Sequence, residues 1–150
     1  MRDVSDLRVI WMSLSQTGEL DMADVEIQGG CMCGQVRYIL TCEPLSATMC
    51  HCSDCRRASG AQAVAWVTVP DRCFSFSQGE PQRFRSSPHV ERTFCPKCGT
   101  SLTYRSDERD QETDITTGSL DHPEEFPPTQ DYFCRDRLSW VQPTTGNLKE

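Results

Sequence analysis

The chain has 150 residues, a length that suits one domain with a modest core. Its 15 basic and 22 acidic residues give a formal net charge of −7, and only two residues are lysines, Lys97 and Lys149. Nucleic-acid binding, which needs clustered basic side chains to neutralise phosphates, is therefore disfavoured, and no apolar run is long enough to span a membrane.

Residues 1–21 differ from the rest. Val4, Leu7, Ile10, Trp11 and Leu14 recur at three- and four-residue steps, which predicts a short amphipathic helix stopped at Thr17-Gly18. Met22 opens a stretch that runs straight into the first cysteine motif. The upstream segment therefore reads either as a docking helix or as an extension ahead of the true start. It lacks the long apolar core of a signal peptide, and reduced thiols are needed downstream, so the expected location is the cytoplasm.

Further along, Cys31-x-Cys33 is flanked by Gly29, Gly30 and Gly34, which allow the backbone to bend so that amides can reach the sulfurs. A β-strand follows at 36–40. Next comes Cys50-x-Cys52-x-x-Cys55, with one helical turn expected after Cys55. Short β segments then continue at 64–69, 74–76, 83–85, 92–94, 102–104 and 114–117, rich in β-branched or aromatic residues and separated by Gly and Pro turns. Cys95-Pro96-Lys97-Cys98-Gly99 interrupts them. The expected fold is all-β, with a domain over 22–142 and a flexible tail over 143–150.

Seven of the ten cysteines thus fall in three tight clusters. Thiolates two or three residues apart converge readily on one tetrahedral ion, and such neighbours rarely form relaxed disulfides with each other. Seven is the sum of a closed structural zinc site with four ligands and a catalytic site with three. The Cys-Pro-Lys-Cys-Gly turn has the form of a zinc-ribbon knuckle, which pairs with a second short cysteine turn. Cys31 and Cys33 supply that pair for Cys95 and Cys98, leaving Cys50, Cys52 and Cys55 as an open three-thiolate site. The isolated Cys42, Cys73 and Cys134 read as small buried hydrophobes. His51, between two ligands, is expected to point away from the metal. Arg83, Arg85, Arg92 and Arg105 could gather on neighbouring strands into a small basic pocket.

Four segments, Gly30-Cys31-Met32-Cys33-Gly34-Gln35-Val36-Arg37-Tyr38, Cys50-His51-Cys52-Ser53-Asp54-Cys55-Arg56-Arg57-Ala58-Ser59-Gly60, Phe94-Cys95-Pro96-Lys97-Cys98-Gly99-Thr100 and Gly118-Ser119-Leu120-Asp121, occur in order. Together they resemble the glutathione-dependent formaldehyde-activating enzyme family, whose domain is shared with centromere protein V. The resemblance covers about residues 26 to 141. It implies an Mss4-like β-tent holding two Zn2+ ions, a structural one on Cys31, Cys33, Cys95 and Cys98 and a catalytic one on Cys50, Cys52 and Cys55. It also implies a carbon–sulfur lyase that joins glutathione to formaldehyde as S-hydroxymethylglutathione, with a small thiol as its partner. In that setting Arg56 or Arg57 could pair with a carboxylate of glutathione, or simply with backbone carbonyls. The stretch from Asp131 to Trp140 departs from the family pattern, keeping the Trp and lacking a His before it. Two further readings from other classes stand beside the enzyme: a non-catalytic zinc-ribbon-like interaction module on the same fold, and a metal-free thiol redox centre at Cys50, Cys52 or Cys55.

Overall fold

The computed structural model describes residues 25–150; the helix read at 1–21 and the alternative start at Met22 lie outside the described residues. Within the described part, the expected all-β fold is found. Strands β1 (Ile27–Gly30), β2 (Arg37–Leu40) and β5 (Phe74–Gln78) form a small sheet in the order β1-β2-β5. The larger sheet runs β10-β3-β4-β9-β8-β7-β6, from β3 (Ser46–Cys50), β4 (Val64–Pro70), β6 (Gln82–Ser87), β7 (Val90–Phe94), β8 (Ser101–Ser106), β9 (Glu112–Thr116) and β10 (Gln130–Tyr132). Its neighbours are antiparallel, except that β10 lies parallel to β3. The helix after β3, α1 (Ser53–Ser59), is two turns long. No helix among the described residues is long and apolar enough to cross a membrane.

The main core joins the two sheets: Val36, Tyr38 and Leu40 pack with Val67, Val69, Leu102 and Ile115. Successive residues of a strand point to opposite faces. On β4, Val67 and Val69 therefore serve this core, while Val64 and Trp66 enter a second cluster with Cys50 and Cys55 on the other face. A strand buried on both sides reads as a continuous apolar run, which is how Val64-Ala65-Trp66-Val67 appears in the sequence.

The strand register decides what lies on that second face. Ser46, Thr68, Asp114, Tyr104, Arg92 and Phe84 are successive cross-strand partners over six strands, forming one row. An irregularity where β7 meets β8, between Thr93 and Phe94, shifts the phase of β8. Leu102 thereby joins the main core while Tyr104 faces the opposite side.

Three strands escape the sequence reading, for physical reasons. In β1, glycines replace the side chains that mark a strand. In β3, Ser46, Thr48 and Cys50 all face a cavity, so that face carries no large apolar residue. In β10, only Asp131 is buried, and it is polar.

The reading of Cys42 and Cys73 as isolated small hydrophobes needs correction, because the two form a disulfide. Leu40 of β2 is the antiparallel partner of Phe74 of β5, and the two cysteines flank these paired ends with a Cα separation of 5.7 Å. A sequence separation of 31 conceals the juxtaposition. Cys134 is a half-buried free thiol whose sulfur donates to the Asp131 carbonyl. Segment 143–150, expected to be a loose tail, is hydrogen-bonded along β10: Asp131 N–H donates to Asn147 O, and Lys149 N–H to Asp131 O.

Candidate metal centre and its cavity

Two cysteine turns build the first thiol group in the same way. In the turn after β1, the Cys31 N–H donates to Val36 O and the Gly34 N–H to Cys31 O; between β7 and β8, the Cys95 N–H donates to Thr100 O and the Gly99 N–H to Cys95 O. Gly34 and Gly99 have φ of 74° and 76°, left-handed values that glycine adopts without steric cost. The turns are joined by the Met32 N–H donating to the Thr100 hydroxyl. All four sulfurs lie within 4.8 Å of one another. Cys31 and Cys33 are 3.5 Å apart, and Cys33 and Cys95 3.8 Å. A tetrahedral site with metal–sulfur bonds of about 2.3 Å requires separations of about 3.8 Å, so the donor set fits such an ion. The amide of Val36 donates to the Cys31 sulfur, and contact with the Thr100 hydroxyl, then with the Thr100 amide, holds the Cys98 thiol down at about 5.

The second group comprises Cys50 at the end of β3, Cys52 as the N-cap of α1, and Cys55 in its first turn, again within 4.8 Å of one another. The Cys52 sulfur accepts the Cys55 N–H. Hydrogen bonding with Cys50, then with Cys55, holds the Cys52 thiol down at about 2; the same bonds, to Cys52 first, and burial push Cys50 up. Three sulfurs crowded this closely suit a shared cation. Among the described residues no fourth cysteine, histidine or carboxylate joins this group, so an ion held there keeps a free position.

His51 is fully buried and turned toward β10, where its Nε2 meets Asp131 Oδ1 at 2.7 Å. Asp131, also fully buried, accepts in addition the Thr144 N–H and both the N–H and hydroxyl of Thr145. Burial alone would push this carboxyl up, but the bonds from His51 and then Thr145 outweigh it and hold it at about 2. Arg56 donates to the backbone carbonyls of His51 at 2.5 Å and Asp136 at 2.6 Å. Of the two partners the sequence leaves open for Arg56, the structure thus gives it the backbone. These contacts fasten the three-thiol loop to β10 and the C-terminal segment.

Replacing Asp131 by Asn is expected to cost about 3 kcal/mol at pH 7 in urea unfolding, since charged hydrogen bonds to buried partners are lost. A depressed carboxylate contributes stability above its ordinary value near 3.8, and that contribution disappears as pH falls through about 2. The gap between wild type and Asp131→Asn should therefore narrow from pH 4 to pH 2.

A cavity of about 620 Å³ opens on the three thiols, a size typical of small-ligand sites. The row Ser46, Thr68, Asp114, Tyr104 and Arg92 lines it, with Trp66 beside the row. Asp114 is held by the Thr68 hydroxyl and by Arg109. The expected gathering of four arginines does not form. Arg83 pairs with Glu91 and Arg105 with Asp71, while Arg92 is the member of that set that reaches the cavity. Nothing in cysteine spacing marks it; its position follows from register. Arg57 is exposed and lines a neighbouring cavity that shares Arg92.

Comparison with known proteins agrees with this framework. A solved Rhodobacter sphaeroides protein superposes with a TM-score of 0.54 over 82% of this chain and 99% of its own, at 20% sequence identity, which shows the fold. An uncharacterised lyase of Schizosaccharomyces pombe is 30% identical over 87 residues. That match takes in 53% of this chain and 57% of the yeast protein, so the chain spans little more than half the length of this relative. The family model for the glutathione-dependent formaldehyde-activating enzyme matches residues 26–136, which contain both thiol groups and the row facing the cavity. By that match over most of its length, the chain belongs to the glutathione-dependent formaldehyde-activating enzyme family.

Proposed function

We propose that the protein is a zinc-dependent carbon–sulfur lyase that joins a small thiol, glutathione, to formaldehyde. The observation that carries this reading is the cavity opening on three thiols with no fourth protein ligand among the described residues. Family membership and the lyase named among its relatives support it. In this reading Cys31, Cys33, Cys95 and Cys98 hold a structural zinc, and Cys50, Cys52 and Cys55 hold a catalytic one. The catalytic zinc, when bound, supplies Lewis acidity that favours a substrate thiolate or polarises a carbonyl.

The chain's own residues do the rest. The three cysteines fix the reacting centre, and the bonds among His51, Asp131 and Arg56 keep their loop from shifting. Trp66 and Tyr104, packed edge to face with centroids 6.2 Å apart, provide an apolar wall. Ser46 and Thr48 present hydroxyls along the cavity for an extended polar ligand. In the addition, the sulfur pair forms the C–S bond, the carbonyl π pair moves to oxygen, and the proton lost by the thiol is balanced by one gained at that oxygen. The open cavity favours this reading over a closed interaction module.

The test is to mix purified protein with glutathione and formaldehyde and follow S-hydroxymethylglutathione by exchange NMR. Interconversion faster than the spontaneous reaction is expected, lost on zinc chelation and restored by zinc. A rate equal to the spontaneous one at micromolar protein overturns the reading.

A further inference from the structure

Arg92 is an unusual residue for its position. It is 7% exposed, and no carboxylate among the described residues lies within ion-pair distance of it. The carboxylate on its own row, Asp114, is already engaged by Arg109 and Thr68. Its two terminal nitrogens instead approach the Cys55 sulfur, at 3.8 and 4.0 Å, and its guanidinium lies over the Tyr104 ring, 4.8 Å from the centroid. A buried guanidinium calls for a counter-charge, and among the described residues the acidic group it contacts is the three-thiol group, through the Cys55 sulfur.

Charge counting then gives the role. Three thiolates around a dication carry a net −1, which Arg92 brings to zero. A substrate thiolate entering the free position would otherwise raise the site to −2; with Arg92 beside it the total is −1. Because the guanidinium is within 4 Å of a ligand sulfur, it stands at the reacting centre rather than at the far end of the cavity, where the carboxylates of an extended thiol would lie. We propose that Arg92 is a catalytic residue that contacts the sulfur of the bound substrate and stabilises it as the thiolate. In that step the S–H bond breaks, the electron pair stays on sulfur, and the proton leaves to bulk water. This rests on the reading of the three-thiol group as an open zinc site for a thiol.

The experiment uses cobalt(II) exchanged into the zinc protein, in which an added thiolate ligand is read from the growth of sulfur-to-cobalt charge-transfer absorption. The probe is 2-mercaptoethanol, which has no carboxylate, so any dependence on Arg92 cannot act through the carboxylates of an extended thiol. Arg92→Gln is expected to weaken its binding roughly 10- to 100-fold, the range for a lost charge-assisted contact, with metal content unchanged. Arg92→Lys should recover part of the loss. Arg92→Met, which still packs against Tyr104, replaces the Gln variant if that one does not fold. Equal affinity in wild type and the neutral variants overturns the proposal, as does loss of the second metal in them, or failure of wild type to bind 2-mercaptoethanol. Glutathione is titrated in parallel: binding of 2-mercaptoethanol without binding of glutathione overturns the choice of glutathione and leaves the role of Arg92 standing.

Discussion

Cys95→Ser is expected to abolish the folded state rather than weaken it. Cys95 is fully buried and belongs at once to the main core and to the four-thiol group. That group brings the turn after β1, in the small sheet, against the β7–β8 turn of the large one, so an ion held there would cross-link the two layers. Zinc binding to such sites contributes about 10–16 kcal/mol in small metal-dependent folds, comparable to or larger than the whole stability of a domain this size. Serine offers a poor ligand and leaves a buried hydroxyl without its partner. The expected result is loss of near-UV circular dichroism, sensitivity to trypsin and a metal content near zero. A variant that unfolds cooperatively with a midpoint close to wild type would show that the four thiols do not hold the layers together.

Cys52→Ser is expected to have the opposite profile, with the fold kept and activity lost. Cys52 is only half buried, caps α1 and lies in the second cluster, away from the joint between the sheets. Serine is itself a good N-cap, so the helix start survives with little cost. One of three thiols is removed, however, and the two remaining cysteines are too few for a stable three-ligand centre. Elemental analysis should fall from two zincs per chain to one, and acceleration of adduct formation should fall by about 10³-fold or more, to the spontaneous rate. Retained turnover with one zinc would place the chemistry elsewhere.

The contrast between these variants reflects how much of the centre the sequence already held. The seven thiols were legible because groups able to hold one ion from a single turn must be close in sequence, so geometry is written in local spacing. The pairing of Cys31 and Cys33 with Cys95 and Cys98 could be anticipated because a knuckle needs a second knuckle. Strands such as 64–69 and 102–104 were legible because apolar and β-branched residues mark buried faces.

What stayed hidden depends on register and long-range packing. Whether Arg92 or Arg85 reaches the cavity depends on which strands pair and where one slips, as between Thr93 and Phe94. The same holds for Cys42 and Cys73, opposed only because Leu40 meets Phe74. It holds also for His51, whose partner Asp131 lies 80 residues away on a strand with almost no apolar content. Local spacing thus determined the two thiol groups, whereas the charge facing the second of them, and the carboxylate that holds its loop, were decided by the sheet, because hydrogen-bonded register is a property of the assembled chain.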